Sequence, residues 1–326
     1  MQARRADGSE YPGETLRSIV VMIQLYFIKL NIPYKFLSDD RFVDIRNTLD
    51  NTMKLRARAG IGVNKRQANV ITVEEEDRFW NSGVLGSDTP RKLLHTMFYV
   101  VGLNFALRGG EEHRSLKHGT HSQLGITEIA GKKALCYKQD YAKNQQGGLQ
   151  DHNKPRKIVY AYENPANPER CPVRIYETYL NRCPKPYDSL PSFYLRPLTK
   201  PGDNVWFCRS PVGRHTLSSV VSTICAEAKI GGYRTNHSLR ATAATRLFDA
   251  NVDEQLITEV TGHRSSAVRE YKRTSNEKRQ KVSGIIQAGP MNGVHMTTAT
   301  VTQADTMSAS DGKIVININM SECNKK

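Results

Sequence analysis

One segment of the sequence has β-type runs, whereas the rest of the chain is mostly helical in pattern, and this contrast limits the fold class. Residues 123–162 contain three β-type runs, LGITEI, KALCYKQDYA and RKIVYAYE, separated by a turn at AGKK and by the polar loop KNQQGGLQDHNKP. Such runs between turn signals are typical of strands. Helical patterns precede and follow the segment, so the sequence predicts a mostly α fold with a small β-sheet.

The N-terminal part of the chain has the pattern of two helices. GETLRSIVVMIQLYFIKLN is stopped by Pro33, and SDDRFVDIRNTLDNTMKLRARAG begins with a capping serine and two acids and closes at Gly60. The basic stretch GVNKRQANVI then has the character of a linker. We therefore predict a helical module over residues 1–66.

A second, larger domain is predicted over residues 67–287. Thr72 with Glu75 forms a capping-box pattern, and Pro90 stands in the first turn of a further helix with an apolar face. After the β-type segment, five more runs are helical in pattern: PVRIYETYLNRC, TLSSVVSTICAEAK, SLRATAATRLFDAN, VDEQLITEVTG and NEKRQKVSGIIQ. Residues 288–326 have the composition of a flexible tail, although KIVININM alternates like a strand.

Charge and composition narrow the class of partner. The chain of 326 residues carries 47 Lys and Arg against 32 Asp and Glu, a formal charge of +15, which favours a polyanion such as nucleic acid. An alternative is a basic protein with no such partner. The sequence contains no apolar run of about 18 residues, so we expect no membrane-spanning segment.

Histidines and cysteines give little sign of a metal site. His113, His118 and His121 cluster, but no cysteine or carboxylate stands at matching spacing, and the six cysteines form no CxxC pair. We therefore expect neither a metal nor a cofactor.

Three segments carry residues suited to binding and cutting a phosphodiester. Tyr271 stands among Arg269, Lys272 and Arg273, which suits a tyrosine that meets a phosphate. In NHSLRATAATRLF, a histidine and an arginine three residues apart share a helix face, although a solvent-exposed pair is the alternative. In FALRGGEEHRSL, an arginine lies between two helices before two glycines, where it either binds an anion or caps a helix C-terminus.

The order of these segments resembles the tyrosine recombinases, the family of lambda integrase and Cre. ALRGGEEHRSL resembles the box of the first arginine, with Glu111 as its acidic residue. HSLRATAATRLFDANV resembles the His-x-x-Arg box, and LITEVTGHRSSAVREYKR resembles the Leu-Gly-His box that leads to the nucleophile. The resemblance covers about residues 14–287 and is nearest to the eukaryotic branch of Crypton transposons and of related domains in host proteins such as the zinc-finger MYM-type proteins.

The resemblance implies a role for each matching residue. Tyr271 would attack the scissile phosphodiester and form a 3′-phosphotyrosyl link. Arg108 and Arg240 would bind the non-bridging oxygens, because a guanidinium is always charged and pairs with phosphate through a planar fork. His237 and His263 would assist proton transfer and hold the phosphate.

The family also uses a lysine on a β-hairpin to protonate the leaving 5′ oxygen. Our choice is Lys143, in YAKNQQGG after the second predicted strand. The lysines that remain open as alternatives are Lys132, Lys133, Lys154 and Lys157.

The sequence departs from the family pattern at two places. Thr261 precedes Gly262 where the family has leucine, and Tyr271 follows His263 one residue sooner than is usual among bacterial members. Tyr271 is nevertheless the only tyrosine after His263.

The resemblance implies a tyrosine recombinase catalytic domain preceded by a helical module that clamps DNA. The expected activity is site-specific strand exchange for integration or excision of a Crypton-type mobile element. We expect the partner to be double-stranded DNA, the chain to form a homo-oligomer (tetramer) on that DNA, and the protein to be located in the nucleus. One alternative is a domesticated, non-catalytic DNA-binding or assembly domain of a eukaryotic chromatin or transcription protein. A type IB topoisomerase, which shares the chemistry, is another.

Overall fold

The computed structural model describes residues 4–63, 67–140, 156–263, 266–272 and 276–287. The chain divides into two compact units, Met1–Arg273 and Thr274–Lys326, and the second is described only over one helix, Asn276–Gln287. The boundary predicted after residue 66 stays a prediction. The strand predicted at KIVININM lies outside the described residues.

Two helices form the N-terminal part of the first unit, as the sequence predicts. Helix α1 spans Gly13–Lys29 and α2 spans Val43–Arg58, with a 3-10 turn at Asp40–Phe42 before α2. The two helices pack on each other, and four aromatic rings cluster beside the connecting segment: Phe27, Tyr34, Phe36 and Phe42. No residue of α1 is buried, so part of its apolar surface faces solvent.

A single buried helix, α4, lies at the centre of the rest of this unit. It spans Pro90–Asn104, and residues 93–102 are all buried. A helix that is covered all round must have packing partners on every side. Three helices contact it, α6 (Pro172–Arg182), α8 (Val220–Glu227) and α9 (His237–Asp249), and so does the short strand β4 (Leu195–Pro197). The remaining helices of the unit are α3 Val73–Asn81, α5 Glu111–Arg114, α7 Arg214–Ser218 and α10 Glu254–Thr261.

The β-type segment forms an antiparallel sheet in chain order, which confirms the predicted fold class of a mostly α protein with a small sheet. Its strands are β1 Leu124–Ile129, β2 Lys132–Lys138 and β3 Ile158–Tyr162. Strands β2 and β3 pack on α6, and β3 also contacts α10. The sheet therefore brings the start of β3 towards the end of α10.

Two features of the fold differ from the sequence prediction. A second sheet pairs β4, Leu195–Pro197, with β5, Phe207–Pro211, and its strands are too short and proline-rich to give an alternating pattern. The single helix expected over TLSSVVSTICAEAK is two helices, α7 and α8, that meet at Ser219. The Ser219 hydroxyl lies 3.1 Å from the carbonyl oxygens of both His215 and Thr216, a local bond that competes with helix continuation.

Within the described residues, no helix combines the length and the apolar character needed to cross a bilayer.

Candidate active site

Arg108 lies in the short segment between α4 and α5 and is held by a buried carboxylate. Its Nη1 donates to Glu112 Oε1 at 2.7 Å, and its backbone N–H donates to Glu112 Oε2 at 2.8 Å. Glu112 is 5% exposed, whereas Glu111, the acidic residue suggested by the family pattern, is exposed. The acidic partner of Arg108 is thus one residue further along than the motif suggests, because the first turn of α5 directs Glu112 back to the loop.

Gly109 lets this loop approach the N-terminus of α9. A Cβ atom at Gly109 would lie 2.7 Å from the backbone nitrogen of His237 and 3.0 Å from the carbonyl carbon of Asn236. The Asn236 side chain donates to the Gly109 carbonyl at 3.1 Å and so closes the contact. This approach brings the loop that carries Arg108 against the start of α9, although the two segments are far apart in sequence.

Arg240 is buried beneath the site. It is 1% exposed, and its Nη1 donates to the Ala106 carbonyl at 2.6 Å while Nη2 donates to His263 Nε2 at 3.1 Å. Burial, and then the charge of Arg108, lower the pKa of Arg240. The alternative of a solvent-exposed His and Arg pair is therefore wrong for Arg240, while His237 one turn earlier is exposed.

His263 follows a left-handed residue that ends α10. Gly262 has φ +68°, and a Cβ atom there would lie 3.2 Å from Lys157 Cδ. Glycine suits this position because it adopts a positive φ without strain and leaves room for the Lys157 side chain. The His263 ring is half-buried. Burial, followed by the charges of Arg240, Arg108 and Lys157, lowers the pKa of His263 to about 3, so the imidazole is neutral near pH 7.

Tyr271 ends a 3-10 segment, Ser266–Tyr271, and its hydroxyl reaches α9. The Tyr271 Oη lies 2.8 Å from His237 Nε2, and the Tyr271 and His263 ring centroids are 5.2 Å apart. Its backbone carbonyl accepts from Thr245 Oγ1 at 3.0 Å, which ties the segment to α9. The hydroxyl of the half-buried Tyr271 is thus held on His237 and near Arg240, while its ring lies beside that of His263.

The structure also brings one lysine to this group. Lys157, one of the alternatives from the sequence, lies just before β3, and its Nζ donates to the Phe105 carbonyl. Burial, and then the charge of Arg240, lower the pKa of Lys157 to about 7. Lys132 and Lys133 are exposed at the start of β2. Our first choice, Lys143, lies outside the described residues, as does Lys154.

Among the residues that the structure describes, three cations and one carboxylate lie together at this site. Arg108, Arg240 and Lys157 face Glu112, and the carbonyls of Phe105 and Ala106, just past the end of α4, accept from the two more buried cations. Carbonyls at a helix C-terminus carry partial negative charge and offset part of this excess. The net positive charge that remains favours an anion between the arginines and Tyr271.

Two of the three clustered histidines are built into the aromatic core. His113 stacks on Phe98 and its Nδ1 lies 3.0 Å from the Tyr194 hydroxyl, while His118 Nε2 lies 2.9 Å from the Phe193 carbonyl oxygen. Among the residues that the structure describes, no group of three or more His, Cys, Asp or Glu side chains is arranged to hold a metal ion.

Sequence comparisons place two matches on this part of the chain. Residues 178–278, which include His237, Arg240, His263 and Tyr271, match the Phage integrase family. Residues 70–226, which include Arg108 and Lys157, match a domain of unknown function, DUF3504.

Curated relatives include two human proteins. The chain is 27% identical over 232 residues to Zinc finger MYM-type protein 2, covering 68% of this chain and 17% of that protein. It is 25% identical over 238 residues to Transcriptional regulator QRICH1, covering 68% of this chain and 29% of that protein. The chain therefore spans less than a third of the length of these relatives.

Two solved recombinase structures align with parts of this chain. The XerH site-specific recombinase bound to palindromic difH substrate aligns with a TM-score of 0.43 at 16% identity, over 70% of this chain and 55% of that chain. The XerA recombinase aligns with a TM-score of 0.40 at 16% identity, over 83% of each chain.

Proposed function

We propose that this chain is a tyrosine site-specific DNA recombinase that cuts and rejoins DNA through a 3′-phosphotyrosyl intermediate. The observation that carries the proposal is the position of the Tyr271 hydroxyl, 2.8 Å from His237 Nε2 and next to the buried Arg240. His237 and Arg240 approach this hydroxyl from α9, and the His263 ring lies beside the Tyr271 ring. The family match over residues 178–278 includes all four of these residues. A tyrosine with only a packing role has no need of such neighbours.

The first chemical step follows from these contacts. Tyr271 Oη attacks the phosphorus, the bond to the 5′ oxygen breaks, and the phenol proton passes to His237 Nε2. Arg108 and Arg240 bind the non-bridging oxygens, whose charge increases in the transition state. Attack of a 5′-hydroxyl on the phosphotyrosine then reverses the step and joins the new strand.

The leaving 5′ oxygen needs a proton, and two lysines are candidates to supply it. Lys143 is the choice from the sequence, and Lys157 is the choice from geometry. The Lys157 ammonium, with a pKa lowered to about 7, is suited to give up a proton near neutral pH.

Covalent trapping tests the proposal. The protein is incubated with a pool of nicked duplexes of random sequence, in which the short strand beyond a cleaved phosphate diffuses away and leaves the adduct. We expect a protein–DNA adduct on denaturing gels from the wild type, and none from Tyr271→Phe. The Tyr162→Phe variant changes an exposed tyrosine on β3 and serves as the matched control. Adducts from Tyr271→Phe at the wild-type level would remove Tyr271 from the proposed role.

Strand exchange requires several protomers on DNA, and we propose that the helix Asn276–Gln287, α11, joins them. Its Val282, Ile285 and Ile286 are 53%, 64% and 76% exposed, which is unusual for three apolar side chains on one short helix. We also propose that the module over residues 1–66 clamps the duplex. Light scattering should show larger assemblies on DNA for the full chain, but only single-site complexes for a chain truncated after Lys278.

The second candidate is a non-catalytic DNA-binding or assembly domain in the nucleus. The names of the relatives favour it, since one is a zinc finger protein and another is a transcriptional regulator. DNA binding without adducts, from wild type and Tyr271→Phe alike, would support this candidate. Adduct formation together with strand transfer supports a recombinase, and transfer between the ends of an excised element would assign it to a Crypton-type transposon.

A further inference from the structure

Thr261 is a buried polar residue directly beside the proposed catalytic group. It is the last residue of α10 and is 0% exposed. Its Oγ1 lies 2.7 Å from the Ile257 carbonyl oxygen and 2.7 Å from His263 Nδ1. The hydroxyl has one proton, and a carbonyl oxygen can only accept, so the proton goes to Ile257. The hydroxyl oxygen then presents a lone pair to His263 Nδ1.

The opposite side of the imidazole favours the same tautomer as long as the ring keeps this orientation. His263 Nε2 lies 3.1 Å from Arg240 Nη2, and a guanidinium can only donate. In this orientation Nε2 carries the lone pair, and in a neutral ring the proton is then on Nδ1. This tautomer satisfies both contacts and also keeps the hydrogen bond from Thr261 to Ile257, whereas the other tautomer would set Nε2–H against the Arg240 donor and cost the Ile257 bond.

We propose that Thr261 is a positioning residue, whose hydroxyl holds His263 in the Nδ1–H tautomer and thereby keeps Nε2 against Arg240. The inference rests on the proposed function for its catalytic consequence, and it gives His263 a different role from the one that the resemblance implies: in this tautomer Nε2 accepts from Arg240 and has no proton to donate to a phosphate. With Nη1 bound to Ala106 and Nη2 bound to His263, the plane of the Arg240 guanidinium is set before any phosphate binds. Preorganised donors of this kind need no rearrangement when charge develops.

The choice of threonine at this position is itself informative. The family that the sequence resembles has leucine before the glycine, and leucine has no group that could accept from Nδ1–H. A leucine at residue 261 would leave the buried side of His263 without its partner, and the ring would be free to change tautomer or rotate. The hydroxyl therefore supplies an orientation that packing alone does not supply.

Three substitutions separate the hydroxyl from the shape and the helix. Thr261→Val keeps the volume and removes the hydroxyl, while Thr261→Ser keeps the hydroxyl. Thr258→Val is the matched control, because Thr258 Oγ1 donates back to the Gln255 carbonyl at 2.6 Å in the same helix. Thermal unfolding of each variant shows that it is folded before any other measurement.

The primary readout is the tautomer of His263, measured by nitrogen NMR of protein labelled at histidine, with His263→Gln to assign the signal. We expect the Nδ1–H form in the wild type, in Thr261→Ser and in Thr258→Val, and its loss in Thr261→Val. In single-turnover cleavage of the nicked duplexes, Thr261→Val should be slower by about 10- to 100-fold, the effect of losing one buried hydrogen bond, and Thr261→Ser should recover most of the rate.

The two readouts distinguish the inference from the proposed function. A wild-type His263 protonated on Nε2, or an unchanged tautomer in Thr261→Val, would overturn the inference. A tautomer that depends on Thr261 in a protein that forms no adduct would support the inference and refute the recombinase. Cleavage by Thr261→Val at the rate of Thr258→Val would refute the positioning role.

Discussion

Glu112→Gln removes the carboxylate that faces Arg108, Arg240 and Lys157, and we expect it to destabilise the protein. The Glu112 carboxylate accepts from Arg108 Nη1 at 2.7 Å and from the Arg108 backbone N–H at 2.8 Å. Glutamine keeps an oxygen for one of these donors but loses the charge. The three cations would then repel one another without the counter-charge that Glu112 supplies.

The size of the effect follows from the burial of the two partners. A hydrogen bond to a charged group contributes about 1.5–3 kcal/mol, and breaking a fully buried ion pair costs about 3–5 kcal/mol. The Arg108 side chain is 26% exposed, so water replaces part of the lost interaction. We therefore expect the free energy of unfolding to fall by about 2 kcal/mol, which corresponds to a loss of about 4–8 °C in Tm for a unit of this size.

Urea and thermal unfolding measure this change, and the neighbouring acid provides the control. Glu111 is exposed, so Glu111→Gln should change the free energy of unfolding by less than about 0.5 kcal/mol. The same comparison in adduct formation should show slower cleavage for Glu112→Gln, because Arg108 loses its support. Equal stability of the two variants would refute the assignment of Glu112 as the partner of Arg108.

Two further predictions concern protonation. Substitution of the lysine that protonates the leaving oxygen should slow cleavage. Sulfur in place of the 5′ bridging oxygen of the substrate should restore the rate, because a thiolate leaves without a proton. We expect this rescue for Lys157→Met and not for Lys143→Met, and the reverse result would return the role to Lys143. Burial lowers the pKa of His113 from 6.5 to about 3, so the unfolded chain binds the extra proton as the pH falls through 6.5 and stability is lost down to about pH 3. At pH 5 the free energy of unfolding is lower by about 2 kcal/mol because of this residue. Urea unfolding measures the difference in this free energy between pH 7 and pH 5. The difference should be smaller than in the wild type for a folded His113→Gln variant, and the same as in the wild type for a variant of the exposed His215, His215→Gln.

Much of the local structure could be predicted from the sequence, because it depends on neighbouring residues. The capping box at Thr72 and Glu75 and the first-turn Pro90 are both present where the pattern places them. The run LGITEI forms β1 over the same residues, Leu124–Ile129. Each of these depends on backbone bonds within a few residues, so a short window of sequence contains the necessary information.

The contacts of the candidate site were decided by the tertiary structure. Glu112 rather than Glu111 pairs with Arg108, and this depends on the path of the backbone through Gly109 and Gly110. Lys157 reaches Arg240 only because β3 packs on α10. Thr261 was a departure from a motif in the sequence, and only the positions of Ile257, His263 and Arg240 around it indicate what its hydroxyl does.

The physical reason is the range over which each interaction acts. Helix caps and strand alternation satisfy backbone groups that are close in sequence, so residue type and spacing are enough to predict them. The charge of Arg240 becomes useful only when α4, α9 and α10 together exclude water around it and supply the Ala106 carbonyl and the His263 lone pair. Desolvation and hydrogen-bond direction of this kind are properties of packed segments, and the amino-acid order alone does not contain them.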